Sequence, residues 1–406
     1  MIFVKAGGEC TQLFDSYHPL SARRVLEKLC IGSLDARELV VTYNEDLEEG
    51  QFFAVLKKRV KKYFRGNQID PRSSTSYYLK AALILATVAL SYCGTFFAFQ
   101  SFAASLASAV VLGIAMAEVG VSVMHDANHG AGGPGARGVL GATLDMVGAS
   151  SFMWRQQHVV GHHAYTNLAG GDPDICSAAD PDLRCIMPAQ LPQPHHRFQH
   201  IYMGALYGVL AMKSVFLDDF ASLAGGEIGP VRVARMTRAE AALFWAGKAA
   251  FFCAFVGAPV LASGHSWAAL AALWLASEAA AGWLLALMFQ VAHVTEGVKF
   301  VEADARGRVP HGWAEAQVLA SADFAHGSWL WTHFSGGLNY QVVHHLFPNV
   351  CHTHYPAIAP IVLDTCREFG IPYIVFPTFW AALRAHFRHL KTMGAPAKVP
   401  SLATIG

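Results

Sequence analysis

The sequence predicts an all-α integral membrane protein: four transmembrane helices in two hairpins, beneath a helical cap that carries histidine clusters. Three observations lead there. The 406 residues are 53% hydrophobic and only 15% charged, too apolar for an ordinary soluble chain of this length. Residues 81–117 contain no Asp, Glu, Lys or Arg. A second apolar region, 241–291, repeats the pattern with one short polar break.

Each element follows from length and charge. As one helix, residues 81–117 would be roughly 55 Å long, nearly twice a hydrocarbon core of roughly 30 Å. Two passes fit, divided near Gln100 and Ser101, giving spans over 81–99 and 102–123. The second region divides at Ser263, Gly264, His265 and Ser266 into spans over 241–261 and 267–291. Lys248 and Glu278 fall inside these spans, and intramembrane ionisable groups are costly unless they face the bundle interior. Segment 138–152 is short and holds Asp145, and 200–220 carries Lys213, Asp218 and Asp219. Both are expected as interfacial helices. Nothing after 291 is long enough to span, so 294–406 reads as a cap, with a surface helix over 379–390.

The layout is therefore an N-terminal segment 1–40, a basic linker 41–76, a membrane domain 77–394 and a tail 395–406. Lys57, Lys58, Arg59, Lys61, Lys62 and Arg65 cluster just before the first span and mark the cytosolic side. Each hairpin returns to its starting side, so 124–240, everything after 291 and both termini are expected in the cytosol. A net charge of +1 gives no reason to expect nucleic acid. The eight cysteines form no C-x-x-C pair and read as reduced packing residues. No secretory signal peptide is evident.

Three histidine clusters lie in the same-side segments: HDANH with His125 and His129, HVVGHH with His158, His162 and His163, and QVVHH with Gln341, His344 and His345. Residues three and four apart share a helix face, so each cluster can aim several nitrogens at one point. Neutral imidazole suits iron, zinc, copper or nickel, and so few carboxylates do not suit magnesium or calcium. A single H-x-x-x-H is weak evidence; three clusters on one predicted side, each just beyond an apolar region, are strong.

With four passes, the boxes H-x-x-x-H, H-x-x-x-H-H and Q-x-x-H-H resemble the membrane fatty-acid desaturases over roughly residues 77–375. Gln341 in place of a histidine, with WRQQHVVGHHAYTN (154–167), DPD (172–174), FQVAH (289–293) and HFSGGLNYQVVHHLFP (333–348), is similar to the front-end subgroup. That subgroup places a double bond between an existing one and the carboxyl end. The resemblance implies an O2-dependent oxidoreductase with two iron ions held by His125, His129, His158, His162, His163, His344 and His345. His293 would complete the shell, and Gln341 would bind weakly or position a water. Asp126, Glu118 (seven before His125, hence on its face) and Glu296 are candidate outer partners of the imidazoles. A membrane lipid or acyl-CoA would be the substrate, in an apolar tunnel near Trp329 and Trp331, with the endoplasmic reticulum as the site. Val343 and the NYQVVHHLFPNVCHTHYP run look more like delta-5 than delta-4, delta-6 or delta-8 enzymes. A sphingolipid desaturase, a lipid hydroxylase or an acetylenase shares the boxes; a metal transporter or receptor is the non-enzymatic rival.

Residues 6–35 are similar to the second half of a cytochrome b5 domain, with His18 at the position of one axial haem ligand. The partner motif, HPGG, is absent. The expectation is a vestigial ligand, no haem in this chain, and electrons from a separate cytochrome b5 and NADH-cytochrome b5 reductase.

Overall fold

The computed structural model describes residues 11–18, 22–30, 41–44, 50–133, 135–176 and 182–396. Of the predicted 1–40 segment only 11–18 and 22–30 are therefore described, and the predicted tail lies outside except for 395–396. In chain order the elements used below are α1 (Thr11–Tyr17), α2 (Phe52–Gly66), α3 (Thr75–Ala98), α4 (Phe102–His129) and α5 (residues 151–165). There follow α6 (Pro194–Gly225), α7 (Arg238–Ala262) and α8 (Trp267–His293). The cap adds α9 (Trp313–Leu319), α10 (Gln341–Leu346), α11 (Tyr355–Glu368) and α12 (Phe379–Met393). Strands are confined to short pairs, such as the parallel pair of Ala322–Phe324 with Ile374–Phe376.

Helices α3, α4, α7 and α8 fall where the apolar regions predict spans, and α4 and α8 run on to His129 and His293. A helix need not stop at the hydrocarbon edge, and these extensions carry histidines out of the apolar zone. Their outward faces are apolar: Leu79, Leu83, Leu90, Trp245 and Leu261 are all exposed, as befits contact with lipid. Ser74, Thr237 and Ser266 cap the first turns of α3, α7 and α8, satisfying amide donors that apolar surroundings would leave stranded.

Helix α4 crosses α8 closely because the contact residues are small. A β-carbon on Gly113 would lie 2.1 Å from the Ser277 carbonyl oxygen, and one on Gly282 would lie 2.7 Å from the carbonyl oxygens of Tyr207 and Gly208. Small residues of this kind let backbones approach where water expulsion contributes little.

A fifth stretch, α6, is also long and apolar enough to cross by length and composition, where the sequence predicted an interfacial helix over 200–220. It is broken into α, 3-10 and π segments. Its charged groups, the reason for doubting a crossing, are paired: Lys213 Nζ lies 2.5 Å from Asp218 and Asp219 lies 2.6 Å from Lys248 of α7. Lys248, only 4% exposed, also donates to the carbonyls of Gly148 and Val215. The interior position expected for Lys248 is thus explained by three acceptors.

In the cap, α2 places Phe52, Phe53, Leu56, Val60 and Phe64 on one buried stripe, at helical spacing. That stripe shares a core with Trp313, Val342, Val343, Leu346, Ile358 and Val362. Of the basic run, Lys58, Lys61, Lys62 and Arg65 are exposed, while Lys57 and Arg59 donate to the His18 carbonyl and to Glu368. Helix α12, expected at the surface, buries Phe379, Ala382, Ala385, His386 and Leu390, and its His386 donates to the Val294 carbonyl just past α8. Cys93, Cys176, Cys185, Cys253, Cys351 and Cys366 are free.

Breaking a buried ion pair from one side leaves the other charge unpaired and costs about 3–5 kcal/mol. Lys248→Met should therefore lower thermal stability in detergent sharply. Adding Asp219→Leu should recover most of the loss, because the orphaned carboxylate is then gone.

Candidate metal centre

Four separate stretches of chain bring the histidines together. His125 and His129 end α4, His158, His162 and His163 sit within α5, His293 is the last residue of α8, and Gln341, His344 and His345 lie on α10. The local folding of α5 matters. Residues Arg155–His162 are π-helical, with a widened turn of the kind frequent at functional sites. In a regular α-helix His163 would be rotated about 140° from His158. Here the ring centroids of His162 and His163 lie 5.3 and 4.7 Å from that of His158.

Two adjoining clusters result. The nitrogens of His125, His129, His158 and His344 lie within 4.8 Å of one another, as do those of His162, His293 and His345. His163 stands between the clusters, its ring 4.5 Å from His129 and 4.4 Å from His345. Gln341 Nε2 reaches His293 Nε2 at 2.8 Å and His345 Nε2 at 3.1 Å. Every one of these rings is at most 5% exposed, so bulk water is excluded.

Most of the imidazoles have their outer nitrogen held. His162 Nδ1 donates to Asp172 (3.0 Å), His293 Nδ1 to the Ala320 carbonyl (3.1 Å), and His345 Nδ1 to Gln317 Oε1 (2.8 Å). His344 Nδ1 meets Tyr355 Oη at 3.1 Å, and His129 Nδ1 meets Tyr17 Oη at 2.5 Å. Such contacts fix which nitrogen carries the proton. With Nδ1 donating, the Nε2 lone pairs of His293 and His345 face each other at 3.1 Å, and the Gln341 amide nitrogen lies within hydrogen-bond reach of both. The inner nitrogens of His125, His129 and His344 are buried with no hydrogen-bond partner, a state that proteins rarely leave uncompensated. Unpartnered lone pairs converging in a dry, imidazole-rich pocket fit cations that favour imidazole, iron among them.

Electrostatics agree. Burial and neighbouring imidazoles push His158, His163, His344 and His345 well below the usual histidine range, which keeps their lone pairs free. Burial alone would do the same to His162, but Asp172 and Asp174 outweigh it and raise it to about 9. Binding a cation at His162 therefore displaces a proton.

The predicted outer partners fare differently. Asp126 adjoins the centre, but its Oδ1 lies 3.7 Å from His125 Nδ1, too far for a hydrogen bond; its Oδ2 accepts instead from the His352 backbone and ring (2.9 and 2.8 Å). Glu118 is a correction. Residues Val119–Met124 are π-helical, which rotates Glu118 off the face of His125 and leaves it 3.3 Å from His333. Glu296 is a second correction, since it pairs with Arg388 at the surface (3.0 Å). His18 stacks on Phe14 and bonds to its carbonyl, one residue from the site but outside it. Trp329 is 76% exposed and Trp331 stacks on Phe379. Sequence reasoning missed Gln317, Tyr355, Tyr17 and the Ala320 carbonyl; the DPD motif contained the one signal for Asp172. A further group, Asp126, Cys351 and His352, has metal-ligand spacing. Both nitrogens of His352 are engaged, however, one by Asp126 and one by Lys80 Nζ at 3.3 Å, so it serves as a hydrogen-bonded strut.

Asp172 also accepts from the backbone of Asn167 and of Asp174 (2.8 and 2.9 Å). Asp172→Ala should weaken retention of ferrous iron about 10–100-fold, the usual effect of losing an outer-shell partner. Asp172→Asn, which keeps an acceptor, should lose less. Chelator competition on the purified protein reads both.

Comparison with known proteins agrees with this geometry. The family model described as fatty acid desaturase matches residues 100–377. An acyl-lipid (8-3)-desaturase of Physcomitrium patens is 49% identical, with 97% of this chain and 83% of the relative aligned. An acyl-lipid (8-3)-desaturase of Mortierella alpina is 36% identical (98% and 89%), and the Delta(5) fatty acid desaturase A of Dictyostelium discoideum is 34% identical (97% and 85%). With a family match over more than half its length and three such relatives, the chain belongs to the fatty acid desaturase family.

Proposed function

We propose that this protein is an O2-dependent front-end acyl-lipid desaturase that places a cis double bond at the delta-5 position of a polyunsaturated acyl chain. The observation that carries the reading is the convergence of histidines from four stretches into two adjoining buried clusters. His125, His129, His158 and His344 would hold one iron, and His162, His293 and His345 with Gln341 the other, His163 standing between. When bound, the irons supply the oxygen-derived oxidant that can take hydrogen from unactivated methylenes, which no side chain can do. The residues around them orient and dry the site. Asp172, Gln317, Tyr355 and the Ala320 carbonyl hold the imidazoles with Nε2 inward, and the buried rings keep water from the oxidant. In balance, one –CH2–CH2– unit, O2, two electrons and two protons give one –CH=CH– unit and two waters.

Four crossings fit this reading better than five. Helix α6 begins beside α12 of the cap, where Gln199 donates to the Leu390 carbonyl. The chain after α6 returns to α5, with Val231 against Gly161. A segment that starts and ends on the histidine side does not cross. The centre and both termini then face the cytosol, with the basic face of α2 on that side. This orientation suits an endoplasmic reticulum enzyme taking electrons from cytochrome b5 and its NADH-dependent reductase. The relatives named acyl-lipid desaturases favour a lipid-bound acyl chain over acyl-CoA.

Expression in yeast fed a twenty-carbon acid whose first double bond is at carbon eight should yield the product with a new bond at carbon five. A hydroxy acid would replace desaturation with hydroxylation, and a bond at another carbon would overturn the regiochemistry. His158→Ala and His345→Ala should each abolish product. Chelation of iron should do the same, and ferrous iron, not zinc, should restore it.

A further inference from the structure

Helix α1 lies far outside the residues matched by the family model, yet it reaches the centre. Tyr17 is 5% exposed and its Oη sits 2.5 Å from His129 Nδ1. Its ring packs on Val159 and Trp154 of α5. The helix is anchored from several directions. Asn349 donates to the Tyr17 carbonyl (3.1 Å), and Lys57 of α2 donates to the carbonyls of Asp15 and His18. Arg23 forks onto Asp15 (3.0 and 2.6 Å). His129 has no other hydrogen-bond partner, and its Nε2 is buried and unpaired on the cluster side.

From this we infer that α1 is a working part of the metal centre and that Tyr17 is a positioning residue for His129. With Nε2 turned inward, Nδ1 carries the proton and donates it to Tyr17 Oη, which fixes both the tautomer and the ring plane. The arrangement repeats that of Tyr355 with His344 in the same cluster. Whatever the ancestry of this N-terminal segment, it supplies an outer-shell ligand contact. The inference rests on the metal-centre reading above.

Tyr17→Phe in the full chain removes one hydroxyl and keeps the ring packing. Iron retained after a timed chelator challenge should fall about 10–100-fold in affinity, with the melting temperature of the metal-free protein unchanged. Tyr355→Phe should behave alike and serves as the matched reference. Two results would overturn the inference: iron retention equal to wild type, or a loss matched by destabilisation of the metal-free protein, which would make Tyr17 a packing residue only. If the wild-type chain itself holds no iron, the metal-centre reading fails first and takes this inference with it.

Discussion

Inward-facing imidazole lone pairs are the constraint on which the rest of this structure depends. Eight histidines sharing one dry pocket are mutually repulsive unless each has a defined proton and a cation lies among them. The fold answers the first requirement with outer partners. An aspartate, a glutamine, two tyrosines and a backbone carbonyl hold Nδ1 on five of the rings. Asn167, in a left-handed conformation (φ 53°) that asparagine tolerates better than most residues, donates to the carbonyls of His293 and Ala320. The loop after α5 is thereby tied to the end of α8, so the second box and the lone histidine share one frame.

The membrane helices are built to keep that frame fixed. Close approach at Gly113 locks α4 to α8, and close approach at Gly282 locks α8 to α6; α4 and α8 deliver His125, His129 and His293. The π-helical stretches in α4 and α5 set rotation: they swing Glu118 away from the cluster and bring His162 and His163 near His158. Lys248, within the apolar region, is held by three acceptors. Binding a lipid substrate next to a water-excluding centre demands both features, since slack in the helices would loosen the ligands and a leak would waste the oxidant.

Much of the site was legible because its chemistry is local. The H-x-x-x-H spacings put ligands on one helix face, and the apolar runs marked four of the five described helices long and apolar enough to cross a membrane. The outer partners were not legible, because Tyr17, Gln317 and Tyr355 lie 112, 28 and 11 residues from the histidines they touch. Nothing in their neighbourhoods marks them. Seven-residue spacing misplaced Glu118 because it assumes an unbroken 3.6-residue turn, and proximity to a span end misplaced Glu296, whose side chain turns to Arg388 instead.

By itself, then, the sequence determined composition-driven facts: which segments are apolar enough to leave water, and which carry imidazole at helical spacing. These depend on residue type and short-range periodicity alone. Only the tertiary structure decided that three boxes and His293 meet as two adjoining clusters, which atom holds each ring, and that the N-terminal helix closes the cluster. Those outcomes depend on helix rotation and on contacts between distant segments, which are fixed by packing the whole chain at once.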